Sequence, residues 1–417
     1  MDGGTVRRNN GAKVVSWERG MSNRREFLKN MVVATAGVLL GACDLGDASA
    51  ELPQSAGRAK RREIFVGGRR LKTVDIHSHC FPDIRDLLKG HEEEAKEDNG
   101  FLNPHRRFTM LEPDKIADRL QNMDEHGIDV QAVSLFSGYN YWADRDLAAR
   151  LAQRQNEQLS AFCNAHPDRF VGLGPVSLQH PDLALQQMEE GVTKYGFRGF
   201  VIGATVNGEE LSAPKFNPFW AKAEESGIVI FIHPVGFPEA GKRFQGNGGL
   251  GNIIGNPLET TVALSHLIFE GTLDRYPVVK IVAAHGGGYL PSYLGRSNHC
   301  AEKIPTVCKP VQKLPGEYFK EQIYCDTVVY SSEGLRHLVA EVGANHVVYG
   351  TDFPASVNEP VSAGEPFQRD LAGNQYDPQP LFGEDLQADF VLNSGLSTAD
   401  KRAILGENAA KILRIGA

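Results

Sequence analysis

The segment "VDIHSHCFP", residues 74–82, decides how the rest of the chain is interpreted. Its apolar start predicts a buried β-strand, and this strand ends in two histidines, His77 and His79. Because residues two apart in a strand point to the same face, the two imidazoles can converge on one point. Such a pair is typical of a metal site, although hydrogen-bonded core histidines would give the same pattern. The other ligands must therefore be sought elsewhere in the sequence.

Short apolar runs recur along the chain after this point. With the first, they occupy residues 73–79, 130–136, 169–176, 197–203, 228–234, 279–286, 322–327 and 346–353. The runs are rich in Val, Ile and Phe and are mostly continuous rather than alternating, which predicts parallel strands that are buried on both faces. Amphipathic segments that end in glycine lie between them, as expected for helices.

Eight predicted strands that alternate with helices predict a (β/α)8 barrel, the TIM-type fold, over residues 71–417. This region is longer than the typical barrel of about 250 residues, so insertions are expected. They are predicted at residues 83–112 and 355–395. A doubly wound open sheet is the competing fold, but it would usually carry a glycine-rich phosphate loop after its first strand, where this chain has "HSHCFP".

Metal-binding residue types recur at the predicted strand ends. His77 and His79 end the first strand, His233 the fifth, His285 the sixth and Asp352 the eighth. Chemistry in a barrel collects at the carboxyl ends of the strands, so this pattern predicts a metal centre there. Imidazoles and a carboxylate suit a borderline divalent ion, Zn²⁺ first, with Mn²⁺, Co²⁺ or Fe²⁺ as alternatives.

Other features of the sequence indicate the number of metal ions and the role of His285. The fourth predicted strand ends without the lysine that two-metal barrels often carry there, and Lys194 lies before that strand, so one ion is expected. His285 is the best candidate for a histidine that is not a ligand. It would hold the water and transfer its proton, whereas the alternative is that it only satisfies the backbone of the glycine turn that follows. Asp352 would bind the ion or orient that water.

The motifs "HSH", "FIHP", "AAHGGG" and "GTDFP" together resemble the amidohydrolase superfamily. Within it they resemble the decarboxylase-type branch, which is typified by 2-amino-3-carboxymuconate 6-semialdehyde decarboxylase. The resemblance extends over residues 71–416 and includes "GNPLETTVALSHLIFEG". It implies the following metal ligands: His77, His79, His233 and Asp352. It also implies that His285 handles the water.

The same resemblance suggests how a substrate would be held. Arg296 matches an arginine that reaches a substrate carboxylate across a dimer interface, which implies a homodimer, and Arg107 matches a second carboxylate-binding arginine. For Arg107 a solvated loop charge is nearly as good an interpretation. Val235 departs from the branch, which has a tryptophan after the His-Pro of the fifth strand, so the substrate is expected to differ.

Three functions are compatible with these residues. The first is metal-dependent, non-oxidative decarboxylation of an unsaturated or aromatic carboxylic acid. The second is metal-dependent hydrolysis of an amide, ester, lactone or C–C bond on the same barrel. The third is a tethered binding protein with an inactive barrel, which the intact ligand set disfavours.

Composition excludes several other classes. A net charge of -8 and a pI near 5.9 argue against a nucleic-acid partner, because phosphate binding needs a basic surface. The cysteines are scattered, without a CxxC pair, which predicts neither a disulfide framework nor a zinc finger.

Residues 1–43 have the layout of an export signal. Arg24 and Arg25 precede an apolar run, residues 31–42, which is shorter than the about 20 residues needed to span a bilayer. This order is typical of twin-arginine export, and Met21 is an alternative start. The expected location is the periplasm.

The end of this signal, "LLGAC", resembles a lipoprotein processing box. It predicts a lipid anchor on Cys43, the only contact with a membrane that the sequence suggests. Residues 44–70 are small and polar, which predicts a tether that ends in a hairpin around Gly67 and Gly68.

Overall fold

A computed structural model describes residues 61–95, 111, 113–136, 139–246, 249–304, 306–308, 311–353 and 388–416, with two strand segments at 368–369 and 375–376. The described residues belong to one compact unit. The predicted export signal and Cys43 lie outside them, as does most of the predicted insertion at 355–395. Within that insertion, Gln368–Arg369 pairs antiparallel with Gln375–Tyr376.

The central feature is a sheet of eight parallel strands that pair in chain order. They are β1 (Val74–Cys80), β2 (Val130–Leu135), β3 (Phe170–Pro175), β4 (Gly199–Ile202), β5 (Val229–Ile232), β6 (Lys280–Ala283), β7 (Ile323–Asp326) and β8 (Val347–Val348). All eight predicted strands are confirmed. Nearly all of their residues are buried, as continuous apolar runs require.

The first and last strands meet and close the sheet into a barrel. The Ile76 N–H donates to the Tyr349 carbonyl (2.9 Å), and the His79 N–H donates to the Phe353 carbonyl (2.8 Å). Ser78 and Phe353 form a parallel bridge. The predicted (β/α)8 barrel is therefore confirmed.

The last strand is much shorter than the predicted run of residues 346–353. After Val348 the chain leaves the regular ladder, because the Tyr349 N–H donates to the Ile404 carbonyl. Three residues after Tyr349, Asp352 has a left-handed backbone with φ +56°. The apolar run is thus strand at its start and functional loop at its end.

Helices alternate with the strands. Those that precede or follow the first six strands are α1 (Pro113–His126), α2 (Arg145–Ala165), α3 (Pro181–Thr193), α4 (Asn217–Ser226), α5 (Asn256–Phe269), α6 (Thr272–Arg275) and α7 (Leu294–Lys303). The later ones are α8 (Pro315–Tyr318), α9 (Ser332–Val342), α10 (Ala388–Leu392), α11 (Thr398–Arg402) and α12 (Asn408–Leu413). Polar caps begin three of them: Asp144 accepts from the Leu147 N–H before α2, Ser331 from the Gly334 N–H before α9, and Ser397 from the Asp400 N–H before α11.

A hairpin precedes the barrel. Ile64–Val66 pairs with Arg69–Leu71 across the predicted turn at Gly67 and Gly68. Ile64 and Val66 are buried in the main apolar core. The C-terminal part of the predicted tether, from residue 61 onward, therefore belongs to the folded unit, because its apolar residues contribute to the core.

The structure contains a disulfide bond that the sequence did not predict. Cys300 and Cys308 form a disulfide, although their scattered positions predicted no disulfide framework. The bridge joins the C-terminal part of α7 to the segment that follows, a contact that spacing alone does not reveal.

Among the described residues, no helix combines the length and the hydropathy needed to cross a bilayer.

Candidate metal centre

The strand β1 supplies two fully buried histidines at its carboxyl end. His77 Nε2 and His79 Nε2 lie 3.0 Å apart, so the two rings converge as the strand periodicity predicted. The second ring nitrogen of each is held: His77 Nδ1 faces Asp326 Oδ2 at 2.6 Å, and His79 Nδ1 faces the Leu135 carbonyl at 3.2 Å. Since both acceptors are oxygens, each Nδ1 carries a hydrogen, and each Nε2 faces the same point.

Three other strands bring their predicted residues to that point. His233 follows β5, His285 follows β6, and Asp352 follows β8. The ligand atoms of His77, His233, His285 and Asp352 all lie within 4.8 Å of one another. Asp352 Oδ1 is also 3.0 Å from His79 Nε2, so the structure brings together all five residues that the sequence predicted.

The hydrogen bonding of this cluster fits a cation. Both ring nitrogens of His233 are buried and have no hydrogen-bond partner among the described residues. A buried imidazole in this state is costly unless a ligand satisfies it. A divalent ion would satisfy His233 and would also bind the facing Nε2 atoms of His77 and His79, so the residues present fit a metal.

The charge states of the ligands are set by burial and by their neighbours. Burial opposes the charge of His77, but Asp352 and Asp326 outweigh burial and raise the pKa of His77 to about 10, so a bound cation would displace a proton from this imidazole. Burial lowers the pKa of His79 to about 4 and holds the pKa of His233 well below its ordinary value. Both imidazoles are therefore neutral at neutral pH, which is the form that binds metals. Burial opposes the charge of Asp352, but its histidine neighbours outweigh burial and hold the pKa of this carboxyl well below the usual range. The carboxylate is thus ionised.

His285 differs from the other four residues. Its side chain is 12% exposed, whereas those of His77 and His79 are fully buried and that of Asp352 is 8% exposed. Its Nε2 lies 3.8 Å from Asp352 Oδ2, within reach of a molecule bound at the cluster. In the glycine turn that follows, the Gly286 N–H donates to Asp326 Oδ1, the Gly287 N–H to the Ala284 carbonyl and the Gly288 N–H to the His285 carbonyl, so the turn is satisfied without the imidazole of His285.

Backbone strain coincides with the cluster. His285 and Asp352 both have φ +56°, in the left-handed region that residues other than glycine rarely occupy. Such conformations cost about 1–3 kcal/mol each and persist where the surrounding structure imposes them. Here they turn the chain sharply at the ends of β6 and β8, which points both side chains at the barrel mouth.

Asp326, at the end of β7, is a functional residue that the sequence interpretation missed. Its carboxylate is fully buried and accepts hydrogen bonds from His77 Nδ1 and from the backbone N–H groups of His285, Gly286 and Val328. Burial opposes its charge, but these donors outweigh burial and lower its pKa. Asp326 therefore sets the tautomer of His77 and the backbone position of His285. Its position at a strand end, which it shares with the five predicted residues, was the available signal.

Replacing Asp326 with asparagine should weaken metal binding roughly 10- to 100-fold, because an amide N–H₂ in place of Oδ2 cannot accept from His77 and would disrupt its tautomer. The measurement is the affinity for Mn²⁺ in competition with a chelator of known strength. Asp274→Asn is the matched control, since Asp274 accepts from the Tyr318 hydroxyl. Equal affinities for the Asp326 variant and the parent would show that the carboxylate does not orient the ligand.

Other buried polar groups hold β1 in place. The carboxylate of Asp75 accepts from Thr351 Oγ1 (2.7 Å) and from Gln131 Nε2 (2.9 Å), which ties β1 to β2 and to the segment that follows β8. Arg119, fully buried on α1, donates to the His79 carbonyl (2.8 Å) and lies over the Phe353 ring at 4.7 Å. These contacts fix the spacing between His79 and Asp352 across the barrel seam.

The two predicted substrate-binding arginines have different outcomes. Arg296 lies exposed on α7, and no hydrogen bond or ion pair joins it to another described residue. The structure therefore shows no hydrogen bond or ion pair between Arg296 and the metal ligands of its own chain. Arg107 lies outside the described residues.

Comparison with known proteins identifies relatives over most of the chain. A family model described as amidohydrolase matches residues 74–415. The 2-amino-3-carboxymuconate-6-semialdehyde decarboxylase of Dictyostelium discoideum is 32% identical over 58% of this chain and 67% of its own length. The gamma-resorcylate decarboxylase of Rhodococcus jostii (strain RHA1) is 30% identical over 57% of this chain and 76% of its own length.

A solved structure supports the fold assignment. The dihydroxybenzoic acid decarboxylase of Polaromonas sp. JS666, with bound manganese and the inhibitor 2-nitroresorcinol, superposes with a TM-score of 0.66. The two chains are 24% identical, and the match covers 82% of this chain and 97% of the other. The barrel and its order of elements are thus shared.

Proposed function

Because the chain belongs to the amidohydrolase family, we propose that it is a metal-dependent carboxy-lyase that releases carbon dioxide from an aromatic or unsaturated carboxylic acid without an oxidant. The observation that carries this proposal is the convergence of four histidines and Asp352 on one point at the barrel mouth. The relatives named above support the reaction class, since all three are decarboxylases.

The chain's own residues supply a path for the proton. A divalent ion, when bound, supplies electrophilic stabilisation of negative charge on an oxygen of the acid. His285, the most open member of the cluster, donates a proton to the carbon that bears the carboxylate. The bond between that carbon and the carboxylate then breaks, its electron pair returns to the unsaturated system, and carbon dioxide leaves. Asp326 holds the backbone of His285 in place during this transfer.

For the resident ion we propose Zn²⁺, with Mn²⁺ as the principal alternative. Imidazole-rich sites with one carboxylate suit Zn²⁺. The neighbour from Polaromonas contains manganese, which supports the alternative. One ion is expected, because β4 (Gly199–Ile202) carries no lysine that could bridge a second metal ion.

We propose that a homodimer completes the substrate site. Arg296 is a cation on α7 that makes no ion pair within the described part of its own chain, and a guanidinium is suited to bind a carboxylate with two hydrogen bonds. In a dimer it would reach the substrate of the other protomer. Mixed dimers of an Arg296→Ala chain with a His285→Asn chain should recover about half of the sites if Arg296 acts between protomers.

The test of the reaction is carbon dioxide release from a panel of acids by the metal-loaded protein. The panel should contain 2,6-dihydroxybenzoate, other hydroxybenzoates and unsaturated dicarboxylic acids, each beside its methyl ester and a lactone. Release of one carbon dioxide for each decarboxylated product would support the proposal. Ester or lactone cleavage with every carboxylate intact would favour a hydrolase on the same barrel, and inactivity with tight acid binding would favour a binding protein.

For location we propose twin-arginine export to the periplasm, with a lipid anchor on Cys43. The motif around Arg24 and Arg25 supports export, and the disulfide between Cys300 and Cys308 suits an oxidising compartment. Replacement of both arginines with lysine should keep the protein in the cytoplasm, whereas Cys43→Ala should release it from membranes after export. Unchanged fractionation of both variants would contradict the proposal.

A further inference from the structure

The loop that follows the metal ligand His233 is held by a carboxylate that belongs to neither the metal cluster nor a salt bridge. Glu259 lies on α5 and is 2% exposed. Its Oε2 accepts from the backbone N–H groups of Val235 (2.9 Å) and Gly236 (3.0 Å). Its Oε1 accepts from Thr205 Oγ1 at 3.4 Å, just beyond the end of β4. One side chain thus joins the loops after two neighbouring strands.

The energetics of Glu259 indicate more than ordinary packing. No lysine or arginine pairs with it among the described residues. Burial raises the pKa of Glu259 to about 7, and the hydrogen bonds from Val235, Gly236 and Thr205 are what oppose this rise. Burial of a carboxylate without a cationic partner is expensive unless its hydrogen bonds are well made. These hydrogen bonds hold the backbone of Val235 and Gly236 in a fixed position.

Val235 and Gly236 are positioned where a substrate would meet the barrel. They come directly after His233 and Pro234, at the carboxyl end of β5, and Val235 is 53% exposed. Gly236 has φ +116°, so the loop turns at that residue. His233 itself is anchored independently, because its N–H donates to the Ile202 carbonyl. Glu259 therefore acts on the wall beside the metal rather than on the ligand.

The same helix also contacts the loop after β6. Thr261 Oγ1 accepts from the Tyr289 N–H at 2.8 Å, and Tyr289 lies four residues after His285. A Cβ at Gly288 would lie 2.3 Å from the Pro257 carbonyl oxygen, so this loop passes directly over the first turn of α5. The N-terminal turns of α5 thus support the pocket from behind on two sides.

We propose that Glu259 is a positioning residue that fixes the Val235–Gly236 wall of the substrate pocket and thereby sets the affinity for the acid. This inference rests on the proposed function for the nature of the ligand. The role predicts weaker ligand binding without loss of the metal when the hydrogen bonds are removed. It also predicts rescue by glutamine, whose amide oxygen can accept both N–H groups and whose N–H₂ can donate to Thr205.

The test compares Glu259→Ala, Glu259→Gln and Gly236→Ala with the parent, each loaded with Co²⁺. The probe is 2-nitroresorcinol, and its Kd is read from the change in the cobalt absorption spectrum. We expect roughly tenfold weaker binding for Glu259→Ala and Gly236→Ala, binding within about threefold of the parent for Glu259→Gln, and the same ligand-free spectrum for all. Glu270→Ala, at the C-terminal end of the same helix, is the matched control and should not differ from the parent.

Hydrogen exchange of the peptide that contains Val235 and Gly236 provides a readout that needs no ligand. We expect faster exchange of these amides in Glu259→Ala and parent-like exchange in Glu259→Gln. The inference is overturned if Glu259→Ala binds the probe within about twofold of the parent, if Glu259→Gln behaves like Glu259→Ala, or if Glu259→Ala loses its metal. Failure of the parent to bind the probe would count against the proposed function, and the exchange data would then decide the positioning role alone.

Discussion

Replacing His233 with alanine should abolish both tight metal binding and carbon dioxide release. His233 is buried, and both of its ring nitrogens lack a partner among the described residues. This unsatisfied imidazole would be costly unless a bound metal ion accepted one of its lone pairs. Loss of an outer partner of a metal ligand costs about 10- to 100-fold in affinity, and loss of the ligand itself should cost at least about 100-fold. Metal content after dialysis and the rate of carbon dioxide release measure the two effects.

The control for this variant is His266→Ala. His266 lies half-buried on α5, where it pairs with Glu270 rather than with the cluster. It should retain the metal and the activity of the parent. A His233→Ala protein that still holds about one metal ion and releases carbon dioxide would contradict the assignment of His233 as a ligand.

Replacing His285 with asparagine should separate metal binding from catalysis. The substitution keeps a polar side chain but removes the group that transfers the proton, and the loss of a general acid or base costs roughly 100- to 10,000-fold in kcat. Because His285 is the most open member of the cluster and lies 3.8 Å from Asp352, we expect the metal to stay bound. Metal content and steady-state kinetics on the same preparation test both parts.

The distinction matters because the geometry alone permits His285 to be a ligand, since its ring belongs to the same 4.8 Å group. Loss of the metal from His285→Asn would show that His285 binds the ion and that another group moves the proton. His337→Asn is the control, because His337 is exposed on α9 and contacts the Ser292 hydroxyl. It should leave kcat and metal content unchanged.

The parts of the fold and site that were predictable are local in sequence. The alternation of His77 and His79 follows from the two-residue period of a strand, and buried parallel strands produce the continuous apolar runs that located the barrel. His233, His285 and Asp352 were identified because each lies at the carboxyl end of such a run. These signals need only the few residues around each motif.

The remaining features depend on contacts between distant parts of the chain. Asp326 and His77 are 249 residues apart, and nothing in either segment shows that β7 and β1 place them 2.6 Å from each other. The same holds for the hydrogen bond that the Val235 N–H donates to the Glu259 carboxylate. The end of β8 was misjudged because Tyr349 bonds to Ile404, a partner that periodicity does not indicate.

The most direct test of a single-metal decarboxylase is a titration of metal-free protein with Mn²⁺ or Zn²⁺, in which carbon dioxide release is followed on the best acid of the panel. We expect no release from the metal-free protein, a linear rise with added metal, and a plateau at about one equivalent per chain. A rise that continues to about two equivalents would contradict the single ion, and full activity without any metal would contradict the metal-dependent mechanism altogether.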